Sequence, residues 1–599
     1  MKEIQNNLKA ALKTILTIYA FTFDQIYEAG KSVLSQYANR EDLAGFTWTV
    51  LGIAVFLLYR YAQNHYRCEK IQKSELLFAA CYAVFFVVGR SFLLFNNWNL
   101  IMETPRQFFC ALIAIIGLTC FFYSVLIILS VQFRSRRREK LNLPLSERHT
   151  LAAVCGILLI GWLPYIILTW PGSVPHDTMY QLAMWLGYSD MTNHHPWFTT
   201  MIYGVLFQVG RVFSDNIGVF LIILFQTVLC VAAFSHVCMK VKKYGGSPYI
   251  TALFFALVPV WGCYVTAAIK DILFVAVHCV YFSYFLEIFA AGMGKAKIRT
   301  RDWVIFAVLS LLLCLIRNDG IYRVIPSGIL LLFVIRRYRK QTLLALIACL
   351  IAFNAQNYVA FDIIGIQKGS SREMMSIPFQ QTARYVRDCG DDVTEEEREA
   401  IDKVLPYDML AEIYDPNTSD PVKNKMRNCT SEEFSQYLQA WAEMGMRHPS
   451  AYIQATINNT YYYFYPFHNS RVMRAYQNYI KGEPVNPGLD IHYVHPQITE
   501  EVNNYAEMWR VFPALSLLSN PGFYTWLLLF GIMILLKLKK IRELAVMSVP
   551  LLHLAICVAS PVNGLLRYAM PLMAIMPLLL VWVRKIANEE TEVSAPVVH

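Results

Sequence analysis

Thirteen apolar runs alternate with polar connections along the chain, near residues 44–63, 75–95, 107–131, 150–170, 217–240, 248–268, 271–291, 302–316, 320–335, 342–361, 522–538, 543–560 and 564–583. Most approach the roughly 20 residues a helix needs to cross a bilayer, and the shorter ones need neighbours or a thin membrane. The pattern predicts an all-α polytopic integral membrane protein of about 13–14 transmembrane helices. The fourteenth candidate is residues 4–28, where Ile4, Leu8, Leu12, Ile15, Tyr19 and Ile26 alternate with Lys9 and Lys13. An interfacial helix and a first span both fit it. The leading lysines favour a span with its start inside, and no small-residue cleavage site marks a signal peptide.

Of 599 residues, 56% are hydrophobic and 16% charged, against roughly 25% charged in soluble chains, which sets an ordinary soluble enzyme aside. The formal charge of +10 does not make a nucleic-acid surface, because the basic residues are spread over connections. They stand at Arg67, Lys70 and Lys73, 134–140 (RSRRREK), Lys240 to Lys243, 294–301 (GKAKIRTR), 336–340 (RRYRK), 537–540 (KLKK) and Arg584-Lys585. These are every second connection, so the positive-inside rule makes them cytoplasmic.

The other connections then face outward, and they carry Asp177, His194-His195, Lys270-Asp271, the RNDG turn at 317–320, the long segment 362–521 and Arg567. The chain divides into accessory helices (1–145), a membrane module (146–361) with its first outward loop at 171–197, an extracytoplasmic domain (362–521), and C-terminal helices with a short tail (522–599). The extracytoplasmic domain reads as mainly helical: 394–405 and 431–446 each open with an N-cap type and glutamates, and turns fall at 415–421 and 482–487. Fourteen cysteines lie mostly in apolar runs without metal-ligand spacing. Cys389 and Cys429 alone fall in the outward domain, where one disulfide would need an oxidising compartment and spacing does not establish it.

Asp177 stands at the lip of a span, one helical turn from Gln181, with Leu182, Trp185 and Leu186 on an apolar side. A carboxylate there is a candidate general base, and a phosphate or apolar wall beside it would raise its pKa toward working pH; a helix N-terminal charge is the plainer use. Arg567 is the candidate phosphate ligand, since guanidinium binds phosphate in a bidentate fork. Lys270, Arg317 and Arg323 compete for that role or pair with Asp271 and Asp319. His176, His194 and His195 with Asp177 would suit zinc or manganese, though substrate hydrogen bonding and loop packing fit the same spacing. His492 and His495 read as polar surface, His553 as a core residue with an interhelical hydrogen bond. The aromatic run at 461–467 reads as a sugar-stacking platform or an interfacial cluster.

Asp177, the helix after it and His194-His195-Pro196 resemble the first outward loop of the GT-C superfamily of lipid-linked-sugar glycosyltransferases, which includes protein O-mannosyltransferases and the aminoarabinose transferase of lipid A. Lys270-Asp271 opens a span where many of those enzymes carry an acidic pair, Arg317 to Gly320 fills a turn where they carry a basic residue and glycine, and RYAMP at 567–571 matches the start of a late span. The resemblance covers roughly residues 145–361 and 521–585. Two positions depart from it: Asp177-Thr178 supplies one carboxylate where an acidic pair is usual, and His-Pro stands for Pro-Pro. Phosphate is already a good leaving group, so one carboxylate suffices for transfer, unlike glycoside hydrolysis.

The resemblance implies Asp177 as base, Arg567, Lys270 and Arg317 as donor-phosphate ligands, and His176, Gln181, His194, His195, Asp271, Asn318, Asp319 and Tyr568 as substrate-binding residues. No cofactor is required; a divalent metal is the competing use of the histidines. The implied protein is a glycosyltransferase that moves sugar, with inversion, from a polyprenyl-phosphate donor to an extracytoplasmic cell-surface glycan or lipid. It would sit in a bacterial plasma membrane with its site outward, without a nucleic-acid partner. Two alternatives stand beside it: a lipid-linked saccharide transporter or flippase, which needs broken helices and midplane charges, and a polysaccharide polymerase or ligase, whose essential residues would lie in 362–521.

Overall fold

Helices begin where the sequence supplies a cap. Ser146, Ser214 and Ser247 each accept a backbone N–H from the first turn of Glu147–Leu168, Asp215–Lys243 and Pro248–Leu257, covering donors that a helix start leaves unpaired. The computed structural model describes residues 2–31, 43–66, 72–134, 146–369, 371–467 and 489–594. Arg67, Lys70, residues 135–140 of the basic run, the turn at 482–487 and the tail beyond 594 lie outside them. Among the described residues there is no β-strand, only isolated bridges.

Seven helices among the described residues are each long and apolar enough to cross a membrane: Lys73–Phe95, Pro105–Arg134, Glu147–Leu168, Asp215–Lys243, Lys270–Gly292, Arg339–Ile363 and Leu566–Glu589. An eighth crossing would be the pair Pro248–Leu257 and Pro259–Val265, bent by 65°. The protein is an all-α polytopic membrane protein. The apolar runs at 302–316, 320–335 and 522–538 also form helices, but of 17, 14 and 17 residues, short of a full crossing by themselves. The N-terminal helix Lys2–Lys31 lies antiparallel along Pro105–Arg134, with Tyr27 bonded to Glu103, Tyr19 to the Cys110 carbonyl and Thr17 to the Gly117 carbonyl. It therefore runs with the bundle, as a span would, and its lysines keep it less apolar than the seven.

Lys270–Gly292 is buried nearly all round, packed by Asp215–Lys243, Thr300–Ile316 and Leu566–Ser594, as expected of a helix apolar on every side. It gives the bundle two poles, since Asp271 and Glu287 lie about 24 Å apart along its axis. At the Glu287 pole, Lys240 and Lys243 hold Glu287, Lys537 holds Glu75, and Lys295 reaches Glu589. The described basic connections thus gather at one end, and the candidate residues of chemistry at the other.

The long segment 362–521 has a separate core of Phe379, Tyr385, Ile401, Leu410, Tyr437 and Met444. Its helices Glu395–Val404 and Ser431–Arg447 start at capping boxes, Thr394 with Glu397 and Thr430 with Glu433, as the sequence predicts. Cys389 and Cys429 are free thiols. Tyr461, Tyr462, Tyr463 and Tyr465 are buried at the joint with the bundle, where Thr525 and Trp526 donate to the Tyr463 and Phe464 carbonyls. Packed inside, these rings form no open stacking platform. Two backbone clips hold this segment to the bundle's polar end: Asn193 and Gln367 through amide-to-carbonyl bonds to Gln367 and Met191, and Ser419 and Asn563 through bonds to Pro561 and Asn417.

Candidate functional site

Asp177 is placed by its neighbours in sequence. Ser173 exchanges backbone bonds with Thr266 and Ala268, and the Thr178 hydroxyl donates to the Ala268 carbonyl. These latch the start of the short helix His176–Trp185 to the backbone just ahead of Lys270. Lys270 Nζ consequently reaches Asp177 Oδ2 at 2.9 Å, and Arg567 Nη1, from the first turn of Leu566–Ser594, meets the same oxygen at 3.2 Å. Asp177 Oδ1 has no partner among the described residues.

The ion pairs continue inward. Arg567 lies 3.9 Å from Asp271 Oδ2, Arg317 bonds Asp271 Oδ1 at 2.9 Å, and Arg317 and Arg323 both clamp Asp319. Gly320 permits that turn, because a Cβ there would meet the Leu313 carbonyl oxygen at 2.2 Å. The Arg317 guanidinium stacks over Phe274 and Tyr568, and that of Arg567 over Tyr568. His553 accepts from Arg323 Nε on Nδ1 at 2.9 Å and donates from Nε2 to the Tyr568 carbonyl at 2.7 Å. That is the interhelical role the sequence suggests.

Four cations, Lys270, Arg317, Arg323 and Arg567, therefore face three carboxylates, Asp177, Asp271 and Asp319, leaving an excess of one positive charge. All of them but Arg323 floor a cavity of about 850 Å³, into which His176, His194, His195, Asn318 and Tyr568 also open. Arg567 Nε is buried without a hydrogen-bond partner, an unused donor of the kind an anion satisfies.

Burial alone would raise the Asp177 carboxyl, but Arg567, Lys270 and His195 hold it well below the usual carboxylate range. The expected upward shift is thus reversed in the unliganded site, because two paired cations outweigh desolvation. Burial and the facing Lys270 ammonium hold His195 well below the ordinary imidazole value. Its Nδ1 lies 3.3 Å from Lys270 Nζ and accepts from it.

One expectation needs correction. Gln181 does not reach the cavity: its amide donates to the Thr199 and Thr200 hydroxyls, packing its helix on Trp197–Arg211. Arg323 is only 1% exposed and acts by gripping Asp319, not by meeting a ligand. The histidines assemble no metal site, since no group of three or more His, Cys, Asp or Glu among the described residues is arranged to hold an ion, and the Lys270 ammonium faces His195. Sequence reasoning missed the far wall, where Asp190, Arg372, Glu373, Asp420, Lys423 and Asn424 line the cavity. Lys423 there holds Glu373 and Asp420. Their only signal was position, Asp190 in the loop 171–197 and the others in the segment 362–521, shared with many surface residues.

No curated protein and no solved structure matches this chain. Residues 184–596 match a family described as a family of unknown function, DUF6020, a stretch that takes in every floor residue but Asp177 and Lys270's latch at 173–178. By that match the protein belongs to the DUF6020 family.

Proposed function

We propose that the protein is a membrane glycosyltransferase that moves a sugar from a polyprenyl-phosphate donor to an extracytoplasmic glycan or lipid. The observation that carries this reading is the cavity at the non-basic pole, where one carboxylate with a free oxygen stands beside Arg567 and Lys270. By the positive-inside rule that pole faces outward, and a bacterial plasma membrane is the setting we infer. A lipid phosphate could reach a floor made of helix ends while its tail stays in the bilayer.

In the transfer, the acceptor oxygen bonds the anomeric carbon opposite the phosphate, its proton passes to Asp177 Oδ1, and the phosphate leaves with the electron pair of the broken carbon–oxygen bond. The leaving phosphate gains a negative charge, so Arg567 and Lys270 bind it more strongly as the bond breaks, which is where binding lowers a barrier. The incoming phosphate also draws both cations from Asp177, which lets its pKa rise into the range useful for a base. Donor binding thereby prepares the base.

A flippase is the second reading, and one feature favours it: the helix pair broken at Val258 by a 65° bend, a form transporters use. The experiment that separates the two is incubation of purified protein with a panel of polyprenyl-phosphate sugars. Donor hydrolysis or sugar transfer supports the transferase; donor binding without any turnover overturns it in favour of the flippase.

A further inference from the structure

The cavity's floor and its rim differ in one respect. Apart from Asp177 Oδ1 and Arg567 Nε, the floor's charged groups are paired with one another, whereas several rim side chains have hydrogen-bonding groups with no protein partner. Ser189 lines the cavity, and its Oγ is buried with no partner. Asp190, Gln367 and Asn424 line it too, are exposed, and their side chains bond to nothing among the described residues. The two clipped loops bring Asp190 and Gln367 together, since Gln367 pairs through its backbone with Met191 and Asn193. Asn424 follows the helix Asp420–Lys423 on the outward unit.

We propose that Ser189, Asp190, Gln367 and Asn424 form the acceptor subsite, and that it takes a hydroxyl-rich glycan. This rests on the transferase reading above and narrows its acceptor from glycan or lipid to glycan. A carboxylate accepts from two neighbouring hydroxyls, an amide both donates and accepts, and a serine does either, which is the mixture that a sugar face presents. An acyl chain on the same wall would strip water from all four groups and return no hydrogen bond. The aromatic run at 461–467, the other candidate acceptor surface, is packed inside at Tyr461, Tyr462, Tyr463 and Tyr465. Recognition therefore falls to the polar rim.

The test uses the full-length protein in detergent with a panel of short neutral and acidic oligosaccharides, followed by saturation-transfer NMR. At least one should bind the wild type, and the double variant Asp190→Asn with Asn424→Ala should weaken that binding about tenfold or more, consistent with losing a charge-assisted hydrogen bond. Both positions are exposed, and an unchanged thermal midpoint checks the fold. Binding of undecaprenyl phosphate, measured in parallel, should not change. Absence of binding across the panel, or binding indifferent to the double variant, overturns the proposal. So does full-rate transfer to a lipid acceptor by that variant. If oligosaccharide binding is variant-sensitive while undecaprenyl phosphate fails to bind the wild type, the donor reading falls and the glycan subsite stands.

Discussion

The two poles of the bundle use the same charged residue types in opposite ways. At the basic pole each acid has its own lysines, as in Glu287 with Lys240 and Lys243 or Glu75 with Lys537, and the pairs do not join. At the site pole the pairs share members in a line from Lys270 through Asp177, Arg567, Asp271, Arg317 and Asp319 to Arg323. Lysine, a compact ion, serves the separate pairs, while the arginine fork lets one residue bridge two carboxylates. The difference teaches that charge at a helix end is not by itself a site; sharing, burial and an unspent donor distinguish the second pole.

Changes at the site pole should therefore dominate. Asp177→Asn keeps size and removes the base, and should lower transfer about 10²- to 10⁴-fold with undecaprenyl phosphate still bound. Normal turnover would remove Asp177 from the chemistry. Arg323→Ala removes one of the two arginines on Asp319 and leaves buried His553 Nδ1 without its donor, and should cost about 1–3 kcal/mol, read as a lower thermal midpoint in detergent; an unchanged midpoint would mean the line of pairs is not structural. Arg567→Ala should weaken undecaprenyl phosphate binding about 10- to 100-fold, and Arg567→Lys less, because it keeps charge and loses the fork. Equal affinity across that series would make Arg567 a bystander.

The pH profile sharpens the comparison. Asp177 is held below its ordinary value by its paired cations, so before donor binds it stays ionised on acidification, and kcat/KM should show no acid limb from this group between about pH 5 and 8, whereas kcat, which reports the donor complex, should show one. Lys270→Met removes one cation, raises the Asp177 pKa, and moves the loss of activity upward from the acid side; an unmoved limb would deny the coupling. Last, Lys243→Ala at the basic pole, from a side chain 56% exposed, should change stability by less than about 1 kcal/mol and leave transfer untouched. A large loss there would erase the distinction between poles.

Much of this arrangement was legible in the sequence, for physical reasons. Asp177, Lys270, Asp271, Arg317 and Arg567 stand at ends of apolar runs, and an ionised group at such a place needs a partner, so alternation of the loops already brought them to one side. Gln181 misled because one-turn spacing fixes a face but not what the face meets: the Asp177 end opens to the cavity, and a turn later the helix lies on Thr199 and Thr200. The tyrosines at 461–465 misled because an aromatic cluster suits an interface and a domain joint equally. Asp190, Gln367 and Asn424 had no local signal, since their meeting depends on backbone clips between segments far apart in the chain.

Those clips run through main-chain atoms, Asn193 to Gln367 and Ser419 to Pro561, and main-chain bonds are indifferent to which side chains flank them. The rim's side chains are therefore free to diverge without disturbing where the rim stands over Asp177. On the transferase proposal, exchanging a few of those exposed residues would change the acceptor while the charged floor stayed as it is, which makes the far wall the place to look first when altering specificity.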